Sequence, residues 1–177
     1  IGQAALFDNV AGSYNVAIGD SAGYNNTVSN LVAIGSKALW NNTTGTGNTV
    51  VGYQGMYSNI TGGTNTAIGN SAGYLNTGSG NVFVGYNAGY NETTSNKLYI
   101  DNSNTASPLL YGDFATNLLR VNGTLNINNA YSFPTTDGTA GQVLQTNGAG
   151  TVSWASAGGE STTANNGLTL TGSNVAL

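Results

Sequence analysis

The 177-residue chain carries 27 Asn, 27 Gly, 23 Thr and 15 Ser, about half its length, and only 6% of it is charged. With no His, no Cys and only Lys37, Lys97 and Arg120 as cations, it lacks an imidazole base, a thiolate nucleophile and a Cys/His metal site. A formal charge of −4 also opposes nucleic-acid binding, which needs several phosphate-neutralising side chains. The expectation is a non-catalytic chain without metal, cofactor or nucleic-acid partner. A hydrophobic content of 39%, ten Tyr and only two Pro argue against disorder. No run approaches the roughly 18 apolar residues of a membrane helix, so no direct membrane insertion is expected. The chain opens at Ile1-Gly2 without a Met and reads as an excised piece.

An aliphatic-Gly pair recurs along the first hundred residues, at Ile1-Gly2, Ile18-Gly19, Ile34-Gly35, Val51-Gly52, Ile68-Gly69 and Val84-Gly85. The glycines lie 17, 16, 17, 17 and 16 residues apart. Three residues after each comes a tiny residue (Ala5, Ala22, Ala38, Gly55, Ala72, Ala88), and five after comes an aromatic: Phe7, Tyr24, Trp40, Tyr57, Tyr74 or Tyr90. Four before the Gly stands Asn15, Asn48, Asn65 or Asn81, with Leu31 in the remaining copy. A fixed period of this length is the signature of a stacked-repeat architecture.

Within a rung, Asn15-Val16-Ala17-Ile18-Gly19 alternates, and the reading is a short strand whose buried face is Val16 and Ile18. After the Gly, Ser21-Ala22-Gly23-Tyr24 reads as a second short strand, and a polar stretch such as Asn41 to Gly47 turns the chain back. Stacked rungs would form an aliphatic ladder (Ile18, Ile34, Val51, Ile68, Val84) and an aromatic ladder (Phe7, Tyr24, Trp40, Tyr57, Tyr74, Tyr90). A three-sided hexapeptide helix would need a third apolar point per rung, but that step lands on Asn30, Thr46, Gly63 and Gly80. A two-sided roll follows. It is too thin for a core of its own, so an exposed ladder would be shared between chains, and an obligate homotrimer is the economical solution.

The segments Asn15 to Ala22 (NVAIGDSA) and Asn65 to Ala72 (NTAIGNSA) resemble the head repeats of YadA-type trimeric autotransporter adhesins. The resemblance covers residues 1–96. The longer period and fixed aromatic are more similar to Asn/Gly/Tyr-rich repeats of phage tail fibres and adhesive bacterial fibres. It implies a left-handed parallel β-roll in a homotrimer, on a cell-surface appendage or virion tail fibre outside the cell, engaging a cell-surface glycan or envelope receptor.

The period ends after Tyr90. Lys97 to Asp101, Leu109 to Phe114, and Leu118 to Ile127 broken at Asn122-Gly123 read as strands of a connector over 97–134 that caps the roll. Within 135–156, Gly138 to Gln145 and Thr151 to Trp154 flank Asn147-Gly148-Ala149-Gly150 as a hairpin module. Residues 157–177 read as linker and the start of a further module, with the Ser/Gly/Thr-rich linker reaching from Ala155 to Asn166 and a new strand pair from Gly167 to Leu177.

Asp20, Asp101 and Asp113 are the acids near apolar segments. A glycoside-cleaving pair among them is one reading; turn chemistry at Asp101 and Asp113 outweighs it. The aromatic ladder reads first as structural packing and second as a glycan-stacking stripe, with Trp40 the candidate ligand contact. Function thus reads as adhesion or receptor binding by a fibre segment; a pure spacer and a polysaccharide-acting β-helix are the alternatives.

Overall fold

The computed structural model describes residues 1–127 and 131–157. It is all-β among these residues and divides into two units, Ile1–Asn122 and Gly123–Leu177. The first is a parallel β-solenoid. Strands β1 (Val16–Ile18), β2 (Val32–Ile34), β3 (Thr49–Val51), β4 (Thr66–Ile68), β5 (Val82–Val84) and β6 (Lys97–Ile100) pair in parallel, in sequence order. Then β7 (Leu110–Asp113) and β8 (Leu118–Val121) add antiparallel, completing an eight-stranded sheet. The register pairs Ile18, Ile34, Val51, Ile68, Val84 and Ile100 in one row.

The strands face the opposite way from the sequence expectation. Ala17, Ala33, Val50, Ala67 and Phe83, the central residues, are buried, whereas Val16, Ile18, Val51 and Ile68 are each more than a third exposed. The interior of a rung this narrow holds Ala at most levels, and larger residues enter only where the opposite wall gives way. Phe83 fits because Gly73 and Gly89 face its ring; a Cβ at Gly73 would lie 2.5 Å from Phe83 Cδ2. Gly55 replaces the usual Ala because Val50 stands opposite, its Cγ1 2.5 Å from where a Cβ would be. Leu6, Leu31 and Leu39 fill the first rungs, and Gly23 lies between the side-chain tips of Leu6 and Leu31. Close packing of this kind makes the exchange of volume between facing positions obligatory.

Ser21–Tyr24 and its copies are not strands. Two and four residues after each ladder Gly the backbone is left-handed, as at Ser21 (φ 55°), Lys37 (58°), Leu39 (52°), Gln54 (52°) and Met56 (46°). The first of these N–H groups donates to the rung before (Lys37 N to Asp20 O, 2.8 Å) and the second to the rung after (Leu39 N to Gly55 O, 3.0 Å). The N–H two residues later also reaches the rung after, as from Leu75 to Tyr90 O (2.9 Å). Rungs therefore stay bonded on both sides without a β ladder. The Gly that closes each strand permits the close stacking: at Gly69 (φ 139°) a side chain would collide with the Gly85 carbonyl.

Two rows of buried Asn hold the remaining wall. Asn48, Asn65 and Asn81 precede the strands, and Asn26, Asn42, Asn59 and Asn76 stand seven residues after the Gly, all essentially inaccessible. Each amide spans rungs: Asn59 Nδ2 donates to Asn42 Oδ1 (2.8 Å) and Gly62 O (2.9 Å), and Asn48 Oδ1 accepts from Asn65 N (3.0 Å) and Nδ2 (3.1 Å). No buried side-chain polar atom among the described residues lacks a partner, as burial of amides requires.

In the second unit, β9 (Asn126–Ile127) pairs antiparallel with β10 (Tyr131–Ser132), and β11 (Gln142–Thr146) with β12 (Val152–Ser156). Trp154 Nε1 donates to Thr136 O (2.8 Å), and its ring packs where Gly138 leaves no side chain. Strand β12 runs through Ser156, so Ala155 and Ser156 are strand rather than linker. The strand pair expected over 167–177 lies outside the described residues.

Candidate functional site

Alternation along each strand turns one row of side chains outward, and across β1 to β8 every outward position is aliphatic, Thr or Gly. The row runs from Val16 and Ile18 through Val51, Ile68, Val84 and Ile100 to Leu110, Leu119 and Val121. Of the outward positions only Gly112 in β7 is buried, and Leu119 is 65% exposed. At a strand spacing of about 4.8 Å the strip extends roughly 34 Å. Near its far end an open groove of about 350 Å³ is lined by Val84, Gly85, Ile100, Asp101, Asn102 and Leu109. An apolar strip of this extent is a candidate interaction surface.

The charges of the last strands fall on the other face. Lys97 takes the place of the next Asn in its row, its backbone N–H donating to Asn81 Oδ1 (2.7 Å), and its ammonium pairs with Asp113 Oδ2 at 2.8 Å. The hydrogen bond between them lowers the Asp113 carboxyl and raises the Lys97 ammonium relative to their ordinary values. Arg120 lies over the Tyr111 ring at 4.6 Å. Asp101 stands one residue beyond β6, at the end away from the Lys97–Asp113 rung. A rise of about 3.3 Å per residue sets the backbones of the two residues roughly 13 Å apart along the strands. Each has local work: Asp101 Oδ2 accepts from Ser103 Oγ (2.7 Å) and Asp113 Oδ1 from Ala115 N (2.9 Å). Asp20 Oδ2 accepts from Ser21 Oγ at 3.3 Å.

The six ladder aromatics form one stack. Centroid separations are 5.0 Å for Phe7–Tyr24, 4.7 Å for Tyr24–Trp40, 6.2 Å for Trp40–Tyr57, 5.3 Å for Tyr57–Tyr74 and 4.8 Å for Tyr74–Tyr90, with interplanar angles of 19° or less. Burial, and then the neighbouring Tyr90 and Tyr57, raise the Tyr74 phenol above its usual value. Trp40 therefore has a ring on either side, with Lys37 Nζ 5.5 Å from its centroid. Parallel rings this close largely occupy each other's faces, so the flank of the stack offers mainly ring edges; at Trp40, 6.2 Å from Tyr57, Lys37 Nζ lies over the ring. Open faces exist at the two ends.

Signals for the missed features were present in the sequence. The Asn row seven residues after the Gly keeps the same register as the aromatics, and Ala106 lies 16 residues after Tyr90, where a seventh aromatic would stand. No protein-family model, curated protein or solved structure matches this chain.

Proposed function

We propose that this chain is a non-catalytic segment of a homotrimeric fibre, with the left-handed roll of YadA-like heads, that displays or spaces adhesive surfaces outside the cell or on a virion. The observation that supports it is the uncharged outward strip across all eight strands of the first unit. Identical rungs stack in parallel, so a second and third copy would present the same strip at the same spacing. Copies set around a common axis would cover aliphatic rows with aliphatic rows and leave the Asn, Ser and Thr loops in water. Repeated weak contacts to a cell-surface glycan or envelope receptor would then sum by avidity.

A spacer role is favoured for the flank of the aromatic stack, where each ring face is largely occupied by its neighbour. The assembly is tested by Ile68→Asp, which places a charge at the middle of the strip without touching the interior of the rung. The expected result is a smaller native mass with an unchanged far-ultraviolet circular dichroism spectrum. Wild-type mass in this variant would remove the strip from the interface.

A further inference from the structure

The hydrogen-bond pattern of the rungs breaks at one place. In five successive rungs the N–H four residues after the ladder Gly donates to the next rung, from Leu6 to Ala22 O through to Gly73 and Ala88 O. The N–H two residues further on does the same, from Asp8 to Tyr24 O through to Leu75 and Tyr90 O. In the sixth rung these donors are Gly89 and Asn91, and among the described residues neither N–H has an acceptor. Gly89 is buried, where an unpartnered N–H is rare and calls for an outside oxygen. Ala106 stands at the sequence position of the next aromatic, 16 residues after Tyr90, and lies beside Tyr90 in the lining of the opening.

A cavity of about 190 Å³ opens at this break. Tyr90, which ends the ring stack with one face on Tyr74, is part of its lining. Its walls are Gly89, Asn91, Glu92, Asn104 and Ala106, together with Tyr99 and Thr105. Glu92 is held in place: Oε1 accepts from Thr94 N (2.7 Å) and Oγ1 (2.6 Å), and Oε2 from the Tyr99 hydroxyl (2.8 Å). Three bonds leave a carboxylate with one acceptor site to spare. Burial opposes its ionisation, but the hydrogen bonds from Thr94 and Tyr99 outweigh burial and keep the carboxyl below its usual value. Asn91 Nδ2 donates to Asn104 Oδ1 (3.1 Å), leaving the Asn104 amide NH₂ and the Asn91 amide oxygen without partners among the described residues.

We infer that this end-of-ladder cavity binds one neutral pyranose ring, its C–H face on Tyr90 and its hydroxyl or acetamido oxygens on the Gly89 and Asn91 N–H groups. This deepens the receptor-binding part of the proposed function and rests on that reading only for its biological meaning, since all the residues belong to one chain. The chemistry selects the ligand class. The negative face of an aromatic ring's quadrupole favours polarised C–H groups over it. Two free N–H donors need acceptor oxygens, which an ammonium ligand lacks. The Glu92 carboxylate accepts a hydroxyl proton and repels a uronic or sialic acid. The volume lies below the roughly 300 Å³ at which drug-sized sites begin, so it holds a single ring.

The test is saturation-transfer NMR on the full chain with methyl glycosides of glucose, galactose and N-acetylglucosamine, and with methyl glucuronide as the acidic probe. At least one neutral glycoside is expected to bind, with Kd of about 1 mM for so small a contact, and the glucuronide is not. Ala106→Tyr should complete the ring stack, fill the cavity and abolish the signal in a protein at least as stable as wild type. Tyr90→Ala should weaken binding about tenfold, the upper range for one aromatic contact. Binding of the glucuronide alone, undiminished binding in Ala106→Tyr, or no neutral glycoside bound by folded protein would each overturn the site. If no neutral glycoside binds the cavity but the chain still attaches to whole glycans, the site fails while the receptor-binding reading stands.

Discussion

Substituting Gly73 by Ala tests how the roll is packed. The new methyl would stand 2.5 Å from Phe83 Cδ2 and 2.7 Å from Cε2, at a backbone φ of 60°. The left-handed conformation costs a non-glycine residue about 1–2 kcal/mol, and overpacking a filled core adds about 1–3 kcal/mol, so a loss of about 2–5 kcal/mol is expected. Gly23→Ala is the control. It has φ 59°, but its nearest neighbour is the tip of Leu6, Cδ2 at 3.1 Å, so the backbone cost of about 1–2 kcal/mol should be nearly all of it. Phe83→Ala alone should cost about 3–5 kcal/mol through the cavity it leaves. In the double variant the methyl enters that cavity, and the combined loss should fall short of the sum by about 1–3 kcal/mol. Chemical denaturation at one fixed chain concentration measures the four variants against wild type, because assembly would otherwise shift the apparent stability. Equal losses for Gly73→Ala and Gly23→Ala, or strict additivity with Phe83→Ala, would refute the volume exchange between strand centre and opposite wall.

Three further outcomes follow from the same geometry. Asn48→Ala removes the acceptor of Asn65 N and one of the two donors to Gly62 O (2.8 Å), which keeps its bond from Asn59 Nδ2; for the orphaned N–H it should cost about 1–3 kcal/mol, with loss of amide exchange protection at Asn65, whereas a surface-like change under about 0.5 kcal/mol would contradict the buried row. The Lys97–Asp113 pair stabilises the fold between two limits. Asp113, depressed, loses its contribution as pH falls below the usual carboxylate range, and Lys97, raised, loses its own as pH climbs past the usual lysine range. Asp113→Asn should therefore flatten the acid side of the stability profile, and an unchanged acid limb would show the pair to be idle. Tyr74 should ionise later than an exposed phenol in an ultraviolet titration, and Tyr90→Leu, which removes a charge-bearing neighbour, should bring its transition down; no change would place the cause in burial alone.

The period, the strand positions β1 to β5 and the solenoid were legible because every rung repeats the same residues at the same places. Which strand face turns inward was not. Val and Ile are the more apolar of the two alternating sets, so hydrophobicity selects them for the interior, yet the width of a rung admits Ala. That limit is set by the opposite wall and becomes visible only in the exceptions, where Val50 meets Gly55 and Phe83 meets Gly73 and Gly89. The misassigned second strand has a different origin. Lys37, Leu39, Gln54 and Met56 adopt a backbone conformation that their types disfavour, and only the glycines at positions 23, 73 and 89 hinted at it. Trp40 drew attention as the departure from a row of Tyr, but its faces are largely taken by Tyr24 and Tyr57. The open ring faces are at the ends of the stack, and finding the one at Tyr90 required counting the period one step past the point where the repeat dissolves.

On the proposed assembly, further copies of the chain cover the outward strip. Light scattering coupled to size exclusion measures the native mass directly, and three chains of 17.9 kDa are the predicted result, falling on Ile68→Asp substitution. A wild-type protein that elutes as a stable single chain over the whole accessible concentration range would contradict it.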